Sequence, residues 1–152
     1  MPYLTLHTAA NVGEIERRLA RVQPLSARQW GTMTPHEMLC HLGDSFEAVL
    51  GDRIASPKQT WLSRSLVKWV ALHTSLTWPQ GVATRPEVNP KEQGTKPAEF
   101  ERDRTRVFQL MQRFIRPDTQ CVQHPIFGLL TRDEWMRWGY AHTDHHLRQF
   151  GC

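Results

Sequence analysis

Residues 131–151 read TRDEWMRWGYAHTDHHLRQFG, and the order of side chains in this stretch decides the fold class. Thr131 and Glu134 have the spacing of a capping box, in which each side chain satisfies a backbone N–H that the first helical turn leaves free. Trp135, Trp138, His142, His146 and Gln149 then follow at steps of three or four, so they share one helix face. Gly151 is a suitable stop. The pattern predicts a helix over 132–149 whose buried stripe is aromatic at its start and imidazole at its end.

Working outward, four further segments carry helical periodicity. In 10–22, Val12, Ile15, Leu19 and Val22 recur on one face, and Pro24 ends the segment. In 35–50, Thr34 and Glu37 form a second capping box with Pro35 at the first position. Met38, Leu42, Phe46, Val49 and Leu50 are its apolar positions, and Gly51 ends it. In 60–76, Leu62, Leu66, Trp69, Val70, His73 and Leu76 make a stripe. The expected role of that stripe is packing on the other helices; with Arg64 and Lys68 alongside, a dimer or membrane-surface face is the alternative. In 97–115, Pro97 suits a first turn, Phe100, Val107, Leu110, Met111 and Phe114 are the apolar positions, and Pro117 follows. Residues 77–96 hold Pro79, Pro86, Pro90, Gly81 and Gly94 and read as a long loop, either a lid or a plain crossover. Strand and hairpin signals are poor. The expectation is one all-α domain over 1–152, a helical bundle.

Composition agrees with an ordinary folded chain: 152 residues, 39% apolar and 22% charged. Cys40, Cys121 and Cys152 are odd in number and share no CxxC spacing, against a disulfide framework or a zinc ribbon. No apolar run approaches the ~18 residues of a membrane span. The start, MPYLTLHTAANVGEIERRL, lacks the pattern of a secretory signal, so a cytoplasmic location is expected. The formal charge of +4 is interspersed with acids around Glu99–Arg106, which argues against nucleic-acid binding.

Three of the eight histidines carry a positional argument. His142 and His146 stand four apart, which puts their Cβ atoms ~6 Å apart on one face. An unpaired imidazole on an inward face is costly, and a shared metal ion relieves that cost. His41 lies on the inward face of 35–50, one turn from Met38 and Ser45, and brings a third imidazole from a facing helix. Three histidines leave an open coordination position, the pattern of a catalytic site. His145 is rotated ~100° from His146 and reads as a second-layer or interhelix residue. His36 reads as solvated and His73 as packing. Cys40, adjacent to His41 and so turned ~100° from it, reads as buried packing.

At this point a family resemblance enters. HPIFGLLTRDEWMRWGYAHTDHHLRQFG over 124–151 and MTPHEMLCHLGDSF over 33–46 resemble the closing helix and the first ligand segment of the DinB-like superfamily. The resemblance covers most of the chain. It implies a four-helix bundle made of 10–22, 35–50, 97–115 and 132–149, with a long crossover that contains the extra helix 60–76. It implies His41, His142 and His146 as ligands of a divalent ion, nickel or zinc. It also implies homodimers, and in some relatives transfer or hydrolysis chemistry that uses low-molecular-weight thiols.

Two functions follow as expectations. The first is a metal-dependent thiol transferase or hydrolase, in which the ion lowers the pKa of a bound water or thiol. For that role Asp44, three after His41, is the candidate to orient a ligand or accept a proton. Gln149, three after His146, is the candidate for a hydrogen bond at the pocket edge, and Tyr140 is a weaker proton donor. Asp144 reads as solvated. The second is a non-catalytic metal-binding or small-ligand-binding bundle, a homodimeric stress protein.

Overall fold

A computed structural model describes residues 3–152. It is all-helical: α1 (Ala9–Arg21), α2 (Pro35–Leu50), α3 (Lys68–His73), α4 (Phe100–Phe114) and α5 (Arg132–Gln149). Among the described residues the one β-like feature is an isolated antiparallel bridge between His124 and Gly128.

Both predicted capping boxes form. Thr34 and Glu37 close the start of α2, and Thr131 and Glu134 close the start of α5. Gly51 ends α2 at φ 86°, in the left-handed region that glycine enters without a Cβ penalty. The start of α4 falls later than the first-turn reading of Pro97 requires. Glu99 caps it instead, its carboxylate accepting from the N–H groups of Glu101 and Arg102, because a carboxylate satisfies free N–H groups that proline merely tolerates.

Helix α2 is the centre of the molecule, with Met38, Leu39, Leu42 and Phe46 buried. It packs along α4; α1 packs on α4 and α5, and α3 packs on α5. Helices α2 and α5 stay wider apart, and side chains rather than backbones fill the space between them. Phe46, Phe114 and Trp138 do so at one end, with ring centroids 5.3–5.9 Å apart. Gly139 permits this packing: a Cβ there would lie 2.8 Å from side-chain carbons of Leu6 and Phe114.

The segment 60–76 differs from its expected packing. Residues 61–73 are helical, but Ser63–Val67 is a π turn. A π turn inserts extra chain per turn and rotates the face that follows. Leu72 is therefore the buried residue of α3, while Trp61, Leu62, Leu66, Trp69 and Leu76 face outward. His73 does not pack as expected either; its Nε2 meets a Glu134 carboxylate oxygen at 3.0 Å. The loop 77–96 is ordered around a 3-10 turn, Pro86–Val88, that lies against α2.

Candidate metal centre

The wide gap between α2 and α5 ends in three imidazoles. His41 projects from α2, held in a turn where Ser45 Oγ donates to the His41 carbonyl at 2.8 Å. His142 and His146 project from α5 one turn apart. The ring centroids form a near-regular triangle: 5.2 Å from His41 to His142, 4.6 Å from His41 to His146, and 4.9 Å from His142 to His146. One ring nitrogen from each lies within 4.8 Å of the other two.

The outer hydrogen bonds determine which nitrogens are free. His41 Nδ1–H donates to the Val88 carbonyl at 2.8 Å. His146 Nδ1–H donates to Gln149 Oε1 at 2.9 Å. The Gln149 amide is oriented by its own NH2, which donates to the Trp30 carbonyl at 3.0 Å. A neutral imidazole carries one proton, so His41 and His146 present bare Nε2 lone pairs inward. His142 Nε2 lies 3.2 Å from His41 Nε2, its ring stacked on Trp138 at 5.2 Å and 14°. Two nitrogens each ~2.05 Å from a tetrahedral zinc ion lie ~3.3 Å apart. The donor type of all three residues, the tautomers of His41 and His146 and the His41–His142 spacing therefore fit a divalent ion.

Electrostatics favours the same state. Burial pushes the pKa of His41 below 6.5. Burial, reinforced by the neighbouring imidazoles, pushes His142 and His146 well below it. All three are neutral at physiological pH, the form that binds metal.

The other candidates fall in different places. Gln149 is beside the centre, as expected. His145 packs edge-on against the His146 ring, 5.1 Å between centroids, and against Trp30 at 5.6 Å; its Nδ1 is buried without a partner. Asp44 does not face the three histidines. It is fully buried and accepts from Arg53 at 2.7 Å, Arg106 at 2.8 Å, and the Thr95 N–H and hydroxyl at 2.7 and 2.6 Å. A position three along from His41 shares its face only in part, and paired arginines hold a buried carboxylate more strongly than a neutral imidazole can. Tyr140 is turned away too: its hydroxyl donates to Glu14 at 3.0 Å, and burial together with that carboxylate pushes its pKa up to about 12. Asp144 is not merely solvated but pairs with Arg18 and Arg148, each at 2.9 Å.

Three contributors have no helical signal: Trp30, Val88 and Trp78, whose ring centroid is 6.0 Å from that of His142. The Asp44 cluster explains how Val88 is held. Arg53 donates to the Glu87 carbonyl at 3.3 Å, next to Val88, while also bonding Asp44 and Thr95. Gly94 belongs to the same clamp, since a Cβ there would lie 2.8 Å from Asp44 Oδ2 and 2.7 Å from the Asn89 backbone. The proline- and glycine-rich composition of the loop was the available signal for Val88 and Trp78; Trp30, which lies before α2, had none.

A second group able to hold an ion lies between α2 and α4: His36 and Cys40 from α2 with Asp103 from α4. His36 is thus paired rather than solvated, its Nε2 2.7 Å from Asp103 Oδ2.

Fold and site together define an all-helical protein with a candidate three-histidine centre set between two helices. The chain belongs to the family described as "Protein of unknown function (DUF1569)", whose family model matches residues 8–151. No curated protein and no solved structure matches it significantly.

Proposed function

We propose that this protein binds one divalent metal ion, nickel or zinc, through His41, His142 and His146, and that the open coordination position acts on a small-molecule substrate, with a low-molecular-weight thiol as the favoured class. The observation that carries this reading is the inward turn of bare Nε2 lone pairs, enforced by Val88 and Gln149. Second-layer acceptors of this kind fix imidazole tautomers in metal sites. The DinB-like reading, a four-helix bundle with a long crossover, is supported by the packing of α1, α2, α4 and α5 and by the long connection from α2 to α4.

A bound divalent ion supplies a Lewis acid that lowers the pKa of what it holds. The chain's own residues do the rest. Trp78 and Trp138 wall the His142 side against water. Gln149 keeps the His146 proton on Nδ1. The group contains no fourth protein ligand among the described residues, which supports an open position.

A specific observation favours a second reading, a non-catalytic metal-binding bundle. The two carboxylates nearest the ligands in sequence, Asp44 and Asp144, are both engaged by arginines. Neither is free to serve as a general base.

The test begins with elemental analysis of the purified chain, where about one equivalent of a divalent ion is expected. The protein is then loaded with cobalt(II) and titrated with a small thiol. A change in the cobalt visible spectrum supports an open, substrate-accessible position. An unchanged spectrum on a fully loaded centre favours the non-catalytic reading. Failure to take up any ion removes both.

A further inference from the structure

The outer face of the helical segment 61–73 is apolar and uncovered. Trp61 is 83% exposed, Leu66 58%, Trp69 57% and Leu62 48%. Such a concentration on one short helix is unlike the scattered exposed apolar residues of most surfaces. Leu129, 72% exposed, extends the patch, because the Lys68 ammonium donates to its carbonyl at 3.0 Å.

The charge of the segment that carries this face has one sign. Residues 53–86 contain Arg53, Lys58, Arg64, Lys68 and Arg85 and none of the chain's 15 Asp and Glu. The formal charge of the whole chain is +4, so the remainder is close to neutral and the excess lies here. Folding neutralises part of it. Lys68 meets Glu134, Arg85 meets Glu87, and Arg53 joins Asp44 and Glu47. Lys58 and Arg64 form no ion pair among the described residues and are both exposed; Lys58 precedes the helix, and Arg64 lies in its first turns.

We propose that this face docks on the surface of an anionic lipid bilayer. Trp61, Leu62, Leu66 and Trp69 would enter the interfacial layer, where indole rings are favoured, and Lys58 and Arg64 would meet lipid phosphates. No helix of the described chain is long and apolar enough to cross a membrane, so the mode is one of lying on the surface. A second copy of the chain fits less well. A two-fold contact sets a patch against itself, and this patch would oppose cation to cation with no carboxylate of its own segment between them. The opposite side of α3, through buried Leu72, packs on α5, the helix that carries His142 and His146. Docking of this face does not depend on a metal being bound.

The test is co-sedimentation of the full chain with vesicles of phosphatidylcholine alone and of phosphatidylcholine mixed with phosphatidylglycerol. Two surface cations at about 1 kcal/mol each correspond to roughly thirtyfold preference for the anionic vesicles, lost in high salt. Lys58→Glu with Arg64→Glu should abolish that preference. Trp61→Ser with Trp69→Ser should abolish binding to both vesicle types while leaving the thermal melt unchanged, since both side chains are exposed. Absence of binding to anionic vesicles, or equal binding to both types, overturns the proposal. So does a dimer in light scattering that the tryptophan variant converts to monomer, which would assign the face to a second copy.

Discussion

Helix α2 contributes to two clusters of side chains that could hold a metal ion, and the hydrogen bonds within each give them opposite character. In the first, His41 joins His142 and His146, and the ring protons of His41 and His146 are drawn outward by Val88 and Gln149. The inward nitrogens are left with each other. In the second, His36 and Cys40 converge on Asp103, and Asp103 Oδ2 accepts from all sides: His36 at 2.7 Å, the Ala98 N–H at 3.2 Å and the Cys40 thiol at 3.7 Å. Burial, with the Asp103 and Asp44 charges, pushes the Cys40 thiol up to about 12, so it remains a protonated donor rather than a thiolate ligand. Proximity of ligand types is common to both clusters. What separates them is whether the lone pairs are already used.

The sharpest way to break this comparison is to remove one member of each cluster and count bound metal. His142→Ala should leave less than about a tenth of an equivalent, because two imidazoles hold a divalent ion far less well than three. Asp103→Asn should leave the stoichiometry unchanged. Equal loss in both variants would mean that the second cluster binds too. Next in size is the outer layer. Gln149→Leu should weaken metal affinity by about 10–100-fold in a competition titration, with the thermal melt of the metal-free protein changed much less.

Acid tests a histidine outside both clusters, His124. His124 accepts at Nδ1 from the Ile126 and Phe127 N–H groups, each at 3.1 Å, and burial drives its pKa down to about 3. An unfolded histidine takes up a proton below about 6.5, whereas the folded one does not, so stability is full above that pH and falls below it. The loss reaches ~2 kcal/mol at pH 5 from His124 alone, and His41, His142 and His146, whose pKa values burial also lowers, act in the same direction. Asp103 behaves differently. Burial would raise its pKa, but the His36 and Ala98 hydrogen bonds outweigh this and hold it below 3.8. Its contribution therefore persists to pH 3.8 and disappears only in stronger acid. Urea melts of metal-free protein at pH 7 and 5 should show the first loss, and His124→Gln should reduce it. The smallest effect is expected from Cys40→Ala: ~1 kcal/mol of stability from a small cavity and a weak hydrogen bond, with metal binding intact by elemental analysis.

Legibility in the sequence followed the range of the interactions. The capping boxes at Thr34 and Thr131 were readable because they are satisfied within four residues. The shared face of His142 and His146 was readable because helical geometry relates them. The stripe of 60–76 misled because a π turn breaks the 3.6-residue period, and no residue type in SRSLV announces one. Asp44 misled for another reason: helical spacing places it near His41, but Arg53, Arg106 and Thr95 come from outside α2 and claim it.

The sequence by itself determined the all-helical class, the ends of α2 and α5, and the three imidazoles on inward faces. Local hydrogen bonding and side-chain periodicity act over one or two turns, so neighbouring residues suffice to state them. Only the tertiary structure decided which nitrogens are bare, which carboxylates are engaged, and that the loop 77–96 reaches back to hold His41 through Val88. Those outcomes depend in part on partners far along the chain, such as Val88, 47 positions from His41, and Trp30, 119 positions from Gln149, and such partners meet only when the helices pack.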